Sequence, residues 1–270
     1  MHATNTTNKC FAIILLAACA YQTPASAQSI RMVETYAAGI PLKVIYANLN
    51  DLNVKVTAEL ARYGPGHAEP FAQMVRRAAP TVAVTGTFFS TRNHFPVGDI
   101  VIDGQLAHFG GVGTALCITD NNEVEFLQPK RYTHQDWSRF DFVLRSGPRL
   151  IHDGVVYVDP RQEGFRDQRM LSRNSRLAVG VTRENALVFV ATRKPVYLSK
   201  LARAMRALGV VNAINLDAGS SLGLYYKGKM LIRPKRFLTN VILLYDNRWK
   251  YEERRTLLAA SRTRSARLYR

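Results

Sequence analysis

Short strand-like runs recur along most of this chain, and they limit the possible folds more than any other feature. Eleven runs of three to seven residues are rich in β-branched and aromatic residues and are separated by turn residues, which is typical of strands. Helical patterns are rare by comparison. We therefore predict an α+β fold, mixed and strand-rich, with few helices. The runs are Leu42–Ala47, Val54–Leu60, Thr81–Thr85, Ile100–Ile102, Thr114–Thr119, Glu123–Leu127, Phe140–Leu144, Leu177–Val181, Leu187–Ala191, Val211–Leu216 and Val241–Tyr245.

Helical periodicity is found mainly in two segments, Pro70–Ala78 and Ser199–Leu208. In the second segment, apolar residues recur three and four positions apart, which places them on one face of a helix that packs on the core. Ser199 is suited to cap the start of this helix, and Gly209 is suited to end it in the left-handed conformation. Both segments are predicted to be structural.

The first 27 residues have the pattern of an export signal. The apolar run Cys10–Ala20 follows a lone Lys9, and Ala25-Ser26-Ala27 has the small residues of a cleavage site. The run is too short to span a bilayer, and no later segment reaches the required ~18 uninterrupted apolar residues. We expect a mature chain that begins at Gln28, is periplasmic or secreted, and has no transmembrane segment after the signal.

A second processing pattern overlaps the first. Leu16-Ala17-Ala18-Cys19 resembles a bacterial lipobox, which would leave Cys19 as a lipid-anchored N-terminus. If cleavage instead follows Ala27, only Cys117 remains, and an intramolecular disulfide is excluded. A membrane-anchored lipoprotein is therefore the alternative to a released protein.

The chain after the signal predicts one domain. About 240 residues are enough to bury a sizeable core without dividing into two domains. We predict a single domain over residues 28–246 and a basic C-terminal tail over residues 247–270. The tail contains eight Arg or Lys residues against Glu252 and Glu253, and it fits either a solvated end or a helix on the surface.

The formal net charge of +17 indicates anionic partners. Removal of Lys9 with the signal would leave +16, which favours a phosphate-bearing glycan, an anionic lipid or nucleic acid. No basic–aromatic module such as an RRM or a zinc finger is present in the sequence, so we expect no nucleic-acid partner. Gly110-Gly111-Val112-Gly113 lacks the third glycine of a dinucleotide-binding motif, and no cofactor is predicted.

The segment Asn215-Leu216-Asp217-Ala218-Gly219-Ser220-Ser221 concentrates polar groups directly after a predicted strand. Because Gly219 permits a positive φ, the turn can present Asp217 and several backbone N–H groups to a ligand. The same residues fit G-x-S-x-G with Ser221 as a nucleophile. That motif requires a following helix and a later His, whereas a strand-like run follows and the last His is His152. We interpret the turn as a ligand site.

Several further motifs occur in a fixed order along the chain. They are Thr85–Phe89, Pro96–Asp99, Asp103-Gly104, Ser146–Leu150, Glu163–Phe165, Ser175–Gly180, Ala213–Ser221 and Arg236–Asn240. Together, between residues 80 and 246, they resemble the bacterial phosphodiester glycosidases. The resemblance implies a strand-rich single domain of that family's type and hydrolysis of the sugar–phosphate bond in glycosyl phosphodiesters, with a phosphate-bearing glycan as substrate.

The resemblance also suggests which residues act. Cleavage at an anomeric carbon usually requires two carboxyl groups, one of which acts as a general acid. Because phosphate is a good leaving group, arginines that bind its charge can replace that acid. Asp217 is the first candidate, as nucleophile or as base for water, and Glu163 is the second carboxylate. Arg149 and Arg176 lie within motifs and suit a phosphate, because guanidinium donors form a fork. The alternatives are that Asp217 only caps the turn, that Glu163 lies in a surface loop, and that the two arginines form structural ion pairs.

The other predicted contacts surround these groups. Asn215 is expected to bond a sugar hydroxyl, and Gly219, Ser220 and Ser221 are expected to complete an anion site with their amides and hydroxyls. Asp99 is expected to orient the sugar, with a turn role as the alternative. The sequence assigns no metal ligands.

Two positions depart from the family pattern. Thr85 stands where many members carry Asn, which removes an amide that could hold substrate. Ala218 stands where Gly is usual, which matters only if its φ must be positive. These changes keep open an alternative function, a phosphoglycan-binding module without turnover on the same fold.

Overall fold

The computed structural model describes residues 28–268, and the side chains of residues 28–259. The predicted signal, its cleavage site and the lipidation site at Cys19 lie outside the described residues. Within them, the chain forms three antiparallel sheets and four α-helices. The predicted α+β, strand-rich class is confirmed.

The largest sheet has seven strands and positions the motif around Asp217. Its third-last strand ends at Leu216, directly before that residue. In order across the sheet, the strands are β1 (Ile30–Ala37), β2 (Ile40–Asn48), β13 (Ala186–Val196), β12 (Asn174–Thr182), β14 (Val210–Leu216), β10 (Arg149–His152) and β11 (Val155–Val156).

Two five-stranded sheets complete the fold. The second sheet consists, in order, of β16 (Lys229–Ile232), β15 (Leu224–Tyr226), β4 (Val82–Thr85), β17 (Asn240–Tyr245) and β3 (Lys55–Leu60). The third consists of β6 (Gln105–His108), β5 (Ile100–Ile102), β9 (Phe142–Ser146), β7 (Thr114–Ile118) and β8 (Val124–Leu127). Every one of the eleven predicted strand runs overlaps one of these strands.

The main core lies between the three sheets. Ile45 of the first sheet, Val84 of the second and Leu144 of the third are fully buried within one apolar cluster. Each such side chain contributes ~1.5–3 kcal/mol by its removal from water. Trp137 and Phe140 cover the outer face of the third sheet, and helices cover the outer faces of the other two.

The helices are α1 (Phe71–Ala78), α2 (Gln168–Leu171), α3 (Leu198–Ala207) and α4 (Arg248–Leu268). Both predicted helices are confirmed as α1 and α3. Gly209 follows α3 with φ of +84°, as predicted for its end. The predicted cap at Ser199 is wrong, because α3 begins one residue earlier, after Tyr197, and has no side-chain cap.

The predicted tail begins with helix α4, whose first turns pack on the domain. Tyr251 and Leu258 are buried, and the Tyr251 ring lies 5.6 Å from that of Tyr245. The Tyr251 hydroxyl also donates to Asp103 at 2.9 Å. This part of the tail is therefore attached to the second sheet. Between residues 28 and 268, no helix has the length and apolar character needed to cross a membrane.

Candidate active site

A cleft of about 370 Å³ opens at the end of β14, between the loop after β4 and the loop before β12. A volume of this size is typical of a small-molecule site. Aromatic rings form part of its wall, including Phe88, Phe89 and Phe165. Its charged lining residues are Arg166, Asp167, Arg169, Arg176, Asp217 and Arg236.

Asp217 lies on the floor of this cleft. Its backbone N–H donates to the Gly86 carbonyl at 3.0 Å, and its carboxylate lies 3.2 Å from Nη2 of Arg236. Burial raises the pKa of the Asp217 carboxyl to about 6, against the opposing effects of a hydrogen bond from Ser221 and the nearby Arg236. A desolvated carboxyl group that changes its charge near neutral pH is typical of a catalytic group.

The turn after Asp217 is a short 3₁₀ turn, Gly219–Ser221, followed by a strand. Gly219 has φ of +60°, as its sequence position predicted, and lines the cleft together with Ser220. Ser221 is buried beneath it, and its N–H donates to the Ala218 carbonyl at 2.9 Å. The turn itself therefore uses the Ser221 amide, which the sequence predicted to complete an anion site.

The two departures from the family pattern leave the cleft intact. Ala218 has φ of −146°, which any residue can adopt, so no glycine is required there. Thr85 is buried, and its hydroxyl donates to the Ser221 carbonyl at 2.6 Å and accepts from the Gly223 N–H at 2.9 Å. Thr85 therefore holds the turn from behind, and it does not line the cleft.

Arg236 completes the floor, although sequence reasoning assigned it no role. Its Nε donates to the Ser221 hydroxyl at 2.6 Å, and its guanidinium lies 4.3 Å from the centre of the Phe89 ring. Its side chain remains 29% exposed, so an anion in the cleft can reach it. The only sequence signal was its place in the motif Arg236–Asn240, because its pairing with Asp217 spans 19 residues.

Arg176, on β12, is a buried cation in the wall of the cleft. Its Nε donates to the Val196 carbonyl at 3.1 Å, and its Nη2 donates to the carbonyls of Met170 and Ser172. Burial lowers its pKa to about 10, and no carboxylate within residues 28–259 opposes that effect. Arg176 thus stays protonated at neutral pH. A bound anion would compensate for its desolvation.

Asn215 contributes a hydrogen-bond acceptor to the same cleft. Its side-chain nitrogen donates to the Leu216 carbonyl at 3.0 Å, whereas its Oδ1 is buried and has no hydrogen-bond partner among residues 28–259. Such an unpaired acceptor is costly unless a ligand donates to it. At the rim, Arg169 pairs with Asp167 at 2.7 Å, and Arg166 also lines the cleft. In the described part of the chain, the lining thus carries four arginines against two aspartates.

Glu163 and Arg149, two of the predicted site residues, do not line the cleft. The Glu163 carboxylate accepts from the Thr114 hydroxyl at 2.7 Å and from the Arg149 backbone N–H at 2.6 Å. The Arg149 guanidinium donates to Asn212 at 2.8 Å. Both side chains are buried in the protein, so the predictions of a second catalytic carboxylate and of a phosphate contact at Arg149 are not supported by their positions.

Asp99 also lies away from the cleft. It is fully buried and accepts from the backbone N–H groups of Gly110 and Gly111, at 2.9 and 2.7 Å, and from the Trp137 indole at 3.1 Å. A fully buried Arg145 lies 3.5 Å away. The alternative, a structural role in the turn, agrees with this position, and a contact with the sugar does not.

No group of three or more His, Cys, Asp or Glu side chains is arranged to hold a metal ion in the described part of the chain.

Comparison with known proteins identifies the family. A family model described as phosphodiester glycosidase matches residues 79–245. N-acetylglucosamine-1-phosphodiester alpha-N-acetylglucosaminidase from Mus musculus is 27% identical over 211 residues, which cover 69% of this chain. The matched part is 40% of the mouse enzyme, so this chain spans less than half the length of that relative.

Two solved structures share the fold. One is the catalytic domain of zebrafish N-acetylglucosamine-1-phosphodiester alpha-N-acetylglucosaminidase, auto-inhibited by its pro-peptide, with a TM-score of 0.65, 19% identity, and coverage of 80% of this chain and 81% of that one. The other is a hypothetical protein from Synechocystis, with a TM-score of 0.68, 18% identity, and coverage of 80% and 61%. Because the family model spans more than half of the 270 residues, the chain belongs to the phosphodiester glycosidase family.

Proposed function

We propose that this protein is an exported hydrolase that cleaves the sugar–phosphate bond of glycosyl phosphodiesters, with envelope or extracellular phosphoglycans as substrates. The observation that carries the proposal is one cleft in which a buried carboxylate, Asp217, is accompanied by two arginines, Arg176 and Arg236. Export rests on the sequence pattern of residues 1–27.

The reaction breaks the bond between the anomeric carbon and a phosphate oxygen, and the sugar ring becomes cation-like. The ionised Asp217 stabilises this charge, either as the nucleophile or as the base that takes a proton from the attacking water. Overall, water supplies a hydroxyl group to the anomeric carbon and a proton to the departing phosphate monoester. Asn215 orients the sugar by accepting a hydrogen bond from one of its hydroxyl groups.

The arginines stabilise the leaving group. Phosphate departs as an anion, and guanidinium groups bind its oxygens with charge-assisted hydrogen bonds. The other carboxylate of the cleft, Asp167, is unsuited to be a general acid, because hydrogen bonds from Arg169 hold its pKa below its usual range. The site therefore operates with one buried carboxylate and an arginine clamp, in which Arg236 takes the role expected of Arg149.

The test is release of free sugar by purified residues 28–270 from a panel of glycosyl phosphodiesters. N-acetylglucosamine is the first sugar to try, since the names of the mouse and zebrafish relatives specify it. The Asp217→Asn variant is the matched control, because it keeps the shape of the side chain. Release by the wild type but not by the variant supports the proposal.

A phosphoglycan-binding module without turnover remains the second candidate function. It predicts that calorimetry detects binding of the same phosphodiesters while no sugar is released, and that Asp217→Asn binds as well as the wild type. The intact turn around Ala218 and Thr85 favours turnover, because neither departure from the family pattern disturbs the floor of the cleft.

A further inference from the structure

Beyond Arg236 the cleft continues into two more grooves, which the chemistry at Asp217 does not use. The second groove, of about 560 Å³, shares Phe89, Thr91 and Arg236 with the first cleft. The third, of about 200 Å³, shares Arg236 and Phe237 with the second. Arg236 therefore borders all three spaces, and the path from Asp217 leads past it along the surface.

The side chains along this path are cationic or neutral. Arg233 and Lys235 are exposed beside the third groove, and the exposed ring of Phe237 separates it from the second. Among the residues whose side chains are described, no Asp or Glu lines either groove. The nearby Glu69 is buried and pairs with Arg77 at 2.6 Å. A ligand on this path thus meets three positive charges and aromatic surface.

Residues 233–236, which carry these charges, are fixed to the turn Gly219–Ser221 that follows Asp217. The Lys235 backbone N–H donates to the Ser220 carbonyl at 2.8 Å. Pro234 packs so closely on Gly223 that a Cβ there would lie 2.8 Å from the proline ring. Arg233 and Arg236 are three residues apart, so their Cα atoms lie within about 11 Å of each other. This distance is comparable with the length of one sugar phosphate unit.

We propose that residues 233–237 form a binding track for a polyanionic glycan, a chain of sugars joined by successive phosphodiesters. The inference rests on the proposed function of the first cleft. The terminal sugar occupies that cleft, and its phosphate binds Arg236. The next sugar lies against Phe89 and Phe237, and the next phosphate binds Arg233 and Lys235. Hydrolysis releases the terminal sugar and leaves a phosphate monoester on the shortened chain.

Two probes with the same scissile bond test the track: the methyl phosphodiester of N-acetylglucosamine 1-phosphate, and a synthetic trimer of phosphodiester-linked N-acetylglucosamine units. We expect kcat/KM to be at least about tenfold higher for the trimer at low ionic strength, because charged contacts attract it. The difference should shrink as salt is added, because salt screens exposed charges.

The double variant Arg233→Glu/Lys235→Glu should lose the preference for the trimer and hydrolyse the methyl diester at the wild-type rate. The matched control is Arg203→Glu/Arg206→Glu on the outer face of α3, which changes the net charge equally at two exposed arginines. Equal kcat/KM values of the wild type on the two probes would overturn the track. An equal loss of the trimer preference in both double variants would also overturn it.

If the wild type hydrolyses neither probe and releases no sugar from the panel of glycosyl phosphodiesters, the proposed function fails, and calorimetry with the trimer still tests the track. Weaker trimer binding by Arg233→Glu/Lys235→Glu than by Arg203→Glu/Arg206→Glu would support a polyanion site. Equal binding by the two variants would exclude it.

Discussion

Two buried aspartates, Asp99 and Asp217, come from motifs of the same family but occupy different surroundings. Asp99 is enclosed by protein on the third sheet, where two backbone amides, an indole and Arg145 satisfy it. Asp217 lies at an open cleft, where burial has raised its pKa to about 6. Membership of a family motif is therefore shared by residues that hold the fold and by residues that line an open cleft.

The arginines repeat this contrast. Arg149 points to Asn212 and lies outside the cleft. Arg176 lines the cleft, and its hydrogen bonds within residues 28–259 all go to main-chain carbonyls. A cation that the fold leaves without a carboxylate is available to an anionic ligand. The surroundings of an arginine, rather than its residue type, therefore distinguish a structural position from one that is open to a ligand.

The largest expected effect is on turnover. Asp217→Asn removes the charge that we propose stabilises the sugar ring and keeps the shape of the side chain, so kcat/KM on a glycosyl phosphodiester should fall by at least ~10³. The measurement is sugar release under initial-rate conditions. Near-normal turnover would place Asp217 in the same structural class as Asp99.

Removal of the enclosed carboxylate should instead affect stability. Asp99→Ala leaves Arg145 buried without its counter-charge, which should lower the free energy of unfolding by ~3–5 kcal/mol. Urea unfolding at pH 7 measures the change. The control is Glu34→Ala, which removes an exposed ion pair with Lys43 and should cost less than ~1 kcal/mol. Equal losses in the two variants would contradict the assignment of Asp99.

Asp217→Asn should also stabilise the protein at alkaline pH. The native pKa of about 6 exceeds the ordinary value of 3.8, so the ionised form is disfavoured in the folded state. The stability that this group contributes is full below pH 3.8 and is lost as pH rises through about 6. The free energy of unfolding of the variant should therefore exceed that of the wild type by on the order of 3 kcal/mol at pH 8 and equal it at pH 3.5. A loss of stability at pH 8 would indicate a turn-capping role.

A smaller effect should separate the two arginines. Arg176→Lys keeps the charge but loses the fork of donors, so kcat/KM on a phosphodiester should fall about tenfold while a neutral aryl glycoside is unaffected. Arg149→Lys should show no such selectivity, because its guanidinium lies outside the cleft. The comparison fails if both variants lose activity equally on both substrates.

The mildest test is the pH profile. If ionised Asp217 is the base or nucleophile, kcat/KM should fall about tenfold per pH unit below pH 6. The residual activity of Asp217→Asn should lack this limb. An acid limb that persists in the variant would assign the titration to another group.

Buried strands were predictable from the sequence because they consist of short runs rich in β-branched and aromatic residues. Six strands of the described chain match none of the eleven runs. β15 corresponds to the strand-like run that follows Ser221. The other five, β1, β6, β10, β11 and β16, are mostly short or lie at sheet edges, where one or both sides face water and the apolar signal is weak. Helix α2 has a single turn, which is too short to produce a helical pattern in the sequence.

The site was predictable only in part, for a physical reason. A motif names a residue type at a position, but it does not state where the side chain points. Asp217, Arg176 and Asn215 lie in the cleft, whereas Glu163 and Arg149 turn into the protein. The pairing of Arg236 with Asp217 was not predictable, because the two residues are 19 positions apart and no local pattern links them.

The contacts of Thr85 with the turn after Asp217 have a consequence for the order of folding. They join positions 136 and 138 residues apart, and the Gly86 carbonyl receives the Asp217 amide over a similar separation. Closing a chain segment of this length comes late and slowly compared with local turns. A nascent or refolding chain therefore lacks a formed site until β4 and β14 have met. Recovery of activity would report completion of the whole fold rather than of any one segment.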